Sequence, residues 1–303
     1  MTSSAPDISS PPAAPAVSDA LGAVPSLAGL RAELDRIDDA IHDLLLRRGQ
    51  VVEEVAAEGS KGRVAIRPGR EAEIIRRLLA RHTGRLPKRL VVRWWRELFA
   101  ATTSMQGSYV VAVCETETGS PFVQAAREHF GALTPMRVHR TPAQAIGEVS
   151  SGAAIAAVLP VPADGEAAST AWWIALMHRD DPRIHVVARL PFWATRPEGA
   201  PQVQALVVAA VAPDASSKDR SLIGLELNAE ASRTRLATAL TAAGLPPLWT
   251  ILRREPGEQV AQALVEVEGL VSDGDPRLAA LAEAMRPPVV LGAYAVPVEG
   301  ETA

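Results

Sequence analysis

The stretch RPGREAEIIRRLLAR, residues 67–81, places five arginines and two glutamates in fifteen positions. Planar guanidinium forks grip carboxylates or phosphates through paired hydrogen bonds. A carboxylate beside them, as Glu71 is beside Arg70, can orient the fork or accept a hydrogen bond itself. The whole chain has a formal net charge of −4. Within it, residues 30–106 carry 16 Lys and Arg against 11 Asp and Glu, and residues 107–303 carry 15 against 22. A basic first module joined to an acidic remainder implies an anionic ligand in the first. No zinc-finger spacing, RNA-binding aromatic motif or dense basic tract accompanies the charge, so nucleic acid is not the expected partner. For single arginines the competing reading is a solvated helix face with i,i+4 ion pairs. Arg76, Arg77, Arg81 and Arg96 are assigned to that face.

Other reactive residues are sparse. His42, His82, His129, His139, His178 and His185 show no metal-ligand spacing, so no metal is expected. No glycine-rich phosphate loop is present, and no cofactor is implied. Cys114, the single cysteine, lies in the apolar run YVVAVC and reads as a small buried thiol. No internal disulfide can form, which fits a reducing cytoplasm. Trp94–Trp95 and Trp172–Trp173 read as half-buried packing. No apolar run reaches the ~20 residues of a membrane span. Residues 1–27 are rich in Pro, Ala and Ser, without a charged start or apolar core, and read as a disordered tail and not a secretory signal.

The elements that must position the arginines begin with a long helix. Apolar residues recur at Leu30, Leu34, Ile37, Ile41, Leu44, Leu45, Val51, Val52 and Val55, a helical period. A helix of that extent is about 40 Å long. A compact module of about 80 residues cannot bury one stripe so long, so the helix should pair with a second copy of the chain. Gly59 and Gly62 end it. A second helix is predicted from Pro68 to His82, with Pro68 in its first turn and Gly84 beyond its end. A third runs from about Pro87 to Gln106, with Val91, Trp94, Trp95, Leu98 and Phe99 on its apolar face.

From YVVAVC onward, strand-like runs alternate with helical stretches, including one near Ala168–His178, which predicts an α/β layer. From about Arg220 to Pro297 the order becomes βαββαβ, which is ferredoxin-like, with its second helix over DPRLAALAEAM.

Three stretches, LRAELDRIDDAIHDLLLRRGQVVEEV, RPGREAEIIRRL and WRELFAATTSMQ, resemble the all-helical (type II) chorismate mutases over about residues 28–107. That family rearranges chorismate, a dicarboxylate, to prephenate by an intramolecular pericyclic shift in aromatic amino acid biosynthesis. The resemblance implies that Arg48 grips one carboxylate and that Arg31 reaches the site of the partner in a dimer. Arg70 would help bind carboxylate and orient Glu71, and Glu71 would accept the substrate hydroxyl's hydrogen bond. Gln106 would donate to the ether oxygen, and Thr102 stands where the family usually has serine. The family's ether-directed lysine aligns without gaps to Gly59, and Lys61, two residues on, is the candidate replacement.

TGSPFVQAAREHFG and AIGEVSSGAAIAAVLPV resemble prephenate dehydratases, and DPRLAALAEAMRPPVVLGAYAVP resembles the ACT regulatory domains. The dehydratase motifs are altered where their chemistry should be. Pro162, Ala163 and Asp164 replace Glu-Asn-Ser, and Val203-Gln204-Ala205 replaces Thr-Arg-Phe, with Thr195-Arg196 nearby. The ACT effector turns are replaced by NAEASRTRL and LRREPG, so phenylalanine feedback is not expected.

The reading is therefore a multidomain chain. A disordered tail (1–27) precedes an all-α three-helix chorismate mutase domain (28–107). An inactive dehydratase-like α/β domain (108–213) and a βαββαβ ferredoxin-like, ACT-like domain (220–297) follow. The implied activity is a cytoplasmic, homodimeric chorismate mutase. The alternatives are a bifunctional mutase and dehydratase, or a non-catalytic partner of an aromatic-pathway enzyme.

Overall fold

The computed structural model describes residues 26–59, 66–116, 121–255, 257–281 and 284–300. Helix α1 spans Leu27–Gly59. Its first turn is capped by Ser26, whose Oγ accepts from the Gly29 N–H at 3.1 Å. The chain divides into two units, residues 1–52 and 53–303. In the first, the apolar stripe of α1 lies open: Ile37 and Ile41 are 45% and 42% exposed, and Leu44 is 71% exposed.

In the second unit, α2 (Pro68–Arg81) and α3 (Lys88–Ser104) pack through Ala72, Ile75, Val92 and Phe99. Phe192 and Ala295, from the sheet that follows, complete this cluster. The two helices are thus seated on the α/β unit. Next come β1 (Val111–Cys114), α4 (Phe122–Phe130), β2 (Met136–His139), α5 (Pro142–Ser150), β3 (Ala156–Pro160), α6 (Trp173–Leu176), β4 (His185–Leu190) and β5 (Ala205–Ala209). The βαββαβ segment supplies β6 (Asp219–Asn228), α7 (Arg233–Ala242), β7 (Pro247–Arg254), β8 (Val260–Glu268), α8 (Pro276–Ala279) and β9 (Val289–Ala295).

Both short helices differ from expectation, for local reasons. The helix expected near Ala168–His178 is only α6, with its flanking turns shaped by two tryptophans. Trp172 Nε1 donates to the Pro160 carbonyl at 3.0 Å, and Trp173 Nε1 to Glu166 Oε1 at 3.1 Å. Both indoles are fully buried, and not half-buried as expected. Helix α8 stops early because the chain beyond it is drawn onto β6. The Met285 N–H donates to the Glu226 carbonyl at 2.8 Å, and Ala284 bridges Leu227.

The nine strands among the described residues form one sheet, ordered β2-β1-β3-β5-β4-β9-β6-β8-β7. The α/β segment that ends in β5 and the βαββαβ segment meet where β4 runs parallel to β9, at Val186 and Gly292. Gly292 has φ +141°, and a Cβ there would stand 2.1 Å from the Val186 carbonyl oxygen, so only glycine permits this approach. Glu266, 1% exposed, ties the seam together. It accepts from Arg189 of β4 at 3.1 Å and from the Tyr294 hydroxyl of β9, with Arg220 of β6 at 3.7 Å. Burial first, and then that carboxylate, raise the Tyr294 phenol above its ordinary range.

Candidate functional site

Arg70 and Glu71 occupy the first turn of α2. Arg67, at the N-cap position, contributes no capping side chain. The cap comes from the β5–β6 connection instead. Asp214 accepts from the Gly69 N–H at 2.9 Å and the Arg70 N–H at 3.0 Å, with Arg67 Nε at 3.3 Å. A carboxylate on the first free N–H groups also complements the positive end of the helix dipole. Gly69 is what lets the loop in: a Cβ there would lie 2.2 Å from the Asp214 carbonyl oxygen.

Glu71 is directed by Arg96 of α3, whose Nη1 donates to Oε2 at 2.7 Å. Arg96 does not lie on the solvated face to which the sequence reading assigned it. It is 3% exposed, its Cζ sits 4.8 Å from the Phe192 ring centroid, and its Nη1 also faces His129 Nε2 at 3.4 Å. Burial pulls the Arg96 guanidinium below its ordinary range, and Glu71 pulls it back. Guanidinium basicity starts so high that the group stays charged. The same burial, and then the Arg96 charge, hold His129 well below the usual imidazole range, so its ring is neutral.

Arg76 departs from the solvated face as well. Its Nη1 donates to the Ser216 carbonyl at 2.6 Å and its Nη2 to the carbonyls of Lys218 at 3.1 Å and Val296 at 2.6 Å. It fastens α2 to both ends of the βαββαβ segment. Arg77 and Arg81 are exposed, as expected.

The remaining candidates are spread along the helices. Arg70 is exposed and pairs with Glu73 at 3.1 Å. Thr102 is buried near the end of α3, its hydroxyl donating to the Leu98 carbonyl at 2.8 Å. Gln106 lies exposed in the turn beyond α3, where the helix was expected to reach. Arg31 is exposed and Arg48 half-buried on α1, in the first unit. Lys61 lies outside the described residues. The structure thus joins Glu71 with Arg96, while Asp214 holds the backbone of Gly69 and Arg70 beside them and the Arg70 side chain turns to Glu73.

The positions expected to lack dehydratase chemistry are occupied structurally. Asp164 pairs with Arg233 at 2.5 Å, and Gln204 accepts from Arg189 at 2.7 Å. Thr195 donates to the Gly300 carbonyl at 2.8 Å, and Arg196 pairs with Glu128 at 2.8 Å. Among the described residues no cluster of His, Cys, Asp or Glu could hold a metal ion, and no helix is long and apolar enough to cross a membrane.

A long, capped helix followed by two shorter helices is what the three helical stretches predicted, although the arginine that directs Glu71 is Arg96. Residues 30–107 match the family of type II chorismate mutases. The type II chorismate mutase domain thus takes in about a quarter of the chain, residues 30–107. Two relatives are each named a bifunctional chorismate mutase/prephenate dehydratase. The protein of Stutzerimonas stutzeri is 29% identical over 141 residues, covering 45% of this chain and 38% of its own. That of Aquifex aeolicus is 32% identical over 125 residues, covering 40% and 33%. The chain thus spans little more than a third of the length of the relatives it matches. Among solved structures, a quorum-quenching acylase covers 62% of this chain at 18% identity and TM-score 0.47, with 96% of its own chain matched. The prephenate dehydratase of Streptococcus mutans covers 61% at 15% identity and TM-score 0.45, with 97% of its own chain matched.

Proposed function

We propose that the chain is a chorismate mutase, rearranging chorismate to prephenate in phenylalanine and tyrosine biosynthesis. The observation that carries this reading is the match over residues 30–107, and by resemblance Arg48, Arg70, Glu71, Thr102 and Gln106 would take the family's ligand positions. The reaction breaks an ether C–O bond and forms a C–C bond within one molecule, and no atom enters or leaves. It needs neither nucleophile nor cofactor. It needs the reactive conformer held and the separating charge stabilised by fixed donors. Arginine forks suit both tasks, and Asp214 and Arg96 fix the direction of the first turn of α2 before substrate arrives.

The open stripe of α1 supports a homodimer in which Arg31 serves the partner's site. The residues 108–213 and 220–297 are read as a catalytically silent dehydratase-like segment and an ACT-like segment. Their former motif positions are committed to internal ion pairs and backbone contacts, which argues against a bifunctional enzyme. The lone buried Cys114 fits a cytoplasmic setting. The test is loss of chorismate absorbance with purified protein, followed by product identification without acid treatment. Prephenate is the expected product, and phenylpyruvate would revive the bifunctional reading.

One observation favours a second reading, a non-catalytic partner of an aromatic-pathway enzyme: Gly59 stands where the family places its ether-directed lysine. A folded dimer that binds chorismate without converting it would support that reading over the first.

A further inference from the structure

Behind Arg96 lies a cavity of about 620 Å³, between α3, α4 and the segment 191–200 that leaves β4. Volumes of this order hold small organic ligands. Two kinds of surface line it. Half-buried Trp193 and Leu90 supply an apolar wall, with the buried Phe192, on whose ring Arg96 lies, and Val92 behind it. Around them stand five arginines against two glutamates. Both glutamates are engaged: Glu97 accepts from the Ala132 N–H at 3.1 Å, and Glu128 pairs with Arg196. Arg89 and Arg93, one turn apart on α3, are exposed and make no ion pair among the described residues.

The depth of the cavity is also cationic. Arg96 and His129 are 3% and 8% exposed, and both line it. Arg96 Nε and His129 Nδ1 are buried and have no hydrogen-bond partner among the described residues. Arg96 has only donors, so His129 Nε2, facing its Nη1, is the acceptor. The ring hydrogen then sits on Nδ1. Both unpartnered atoms are therefore N–H donors, an uncommon condition inside a protein and one that calls for an acceptor.

We propose that this cavity binds a small carboxylate carrying an aromatic ring. The carboxylate is held by the arginine forks, with Arg89 and Arg93 at the mouth. The ring lies against Trp193 and Leu90. Planar paired donors match a carboxylate, and the apolar wall excludes a bare inorganic anion as the best ligand. Because Arg96 also directs Glu71, occupancy changes the support of Glu71, so the ligand is an effector of turnover. That coupling rests on the mutase reading, and the binding itself does not.

The test is calorimetric titration of phenylacetate into the full chain, into Arg89→Ala/Arg93→Ala, and into Arg48→Ala. The expected result is saturable binding by the wild type, weakened about tenfold or more in the double variant and unchanged in Arg48→Ala. Absence of saturable binding, equal affinity in the double variant, or loss in Arg48→Ala, which would put the ligand at the mutase site, would each overturn the proposal. Inorganic phosphate binding more tightly than phenylacetate would overturn the ligand class. Chorismate turnover with saturating phenylacetate then reads the coupling: a change absent from the double variant supports it, and no change in the wild type overturns it. A chain that converts no chorismate yet passes the titration would sink the mutase reading and keep the site.

Discussion

Arg96 reaches from α3 to Glu71 on α2, its Nη1 2.7 Å from the carboxylate, at a point almost sealed from water. The pair joins two helices and fixes the carboxylate in one direction. Removing one partner of a buried pair strands the other, at a cost of about 3–5 kcal/mol. Arg96→Ala should lower the urea unfolding free energy by that order. A loss below about 1 kcal/mol, the scale of an exposed pair, would show that the pair is solvent-screened.

Asp214 caps α2 from a loop some 145 residues downstream. Asp214→Ala should cost about 0.5–2 kcal/mol, the range for lost helix caps, and Asp214→Asn should recover part of it. Thermal unfolding of the three proteins reads this directly. If the cap positions the site, chorismate turnover falls in the same order.

Arg48→Ala should reduce chorismate conversion by about 10²–10³ or more, with an unchanged far-ultraviolet circular dichroism spectrum. Near-wild-type turnover in this variant would remove Arg48 from the site.

The stripe on α1 should hold two chains together. Ile37→Glu with Ile41→Glu places charge in its middle, where both side chains are more than 40% exposed in the single chain. Sedimentation velocity should show a dimer for the wild type and a monomer for the variant. A wild type that sediments as a monomer at micromolar concentration would refute the pairing.

His129 is held neutral in the folded protein, its pKa depressed below the ordinary value near 6.5. Below that pH the unfolded chain binds a proton that the folded chain refuses. Stability therefore falls as pH drops below about 6.5, by up to about 1.4 kcal/mol per pH unit for this one group. Above it, the contribution is complete. Urea titrations between pH 5 and 7.5 should show a shallower slope in His129→Gln, and an unchanged slope would mean that the ring titrates normally.

The three N-terminal helices and the succession of strands along the chain were legible because periodicity is a local signal. The apolar spacing of Leu30 to Val55 sets α1, and the alternation after Tyr109 sets the strands. The burial of Arg96 and Arg76 was harder to read, because a charged side chain is buried only where distant groups receive it. The partners of Arg76 lie at Ser216, Lys218 and Val296. A signal existed for Arg96: it follows Val92 by four residues and precedes Phe99 by three, on the buried face of α3. Nothing local to α2 announces Asp214. Arg70 and Glu71 were singled out through family resemblance, which also named Thr102 and Gln106 but not Arg96, the residue that directs Glu71. The single sheet was hidden for the same reason, since the contact of Gly292 with Val186 joins segments that each carry a complete local pattern.

The position of β9 sets an order of assembly. It is the last of the described strands in sequence, yet it lies between β4 and β6, inside the sheet. On a ribosome delivering about 5–20 residues per second, both neighbouring strand edges wait bare until residues 289–295 emerge. Unpaired edges recruit other chains, so the nascent protein is most prone to aggregate until this strand is delivered. A frameshift or nick that removes these few residues would part the sheet at its centre and not trim its rim.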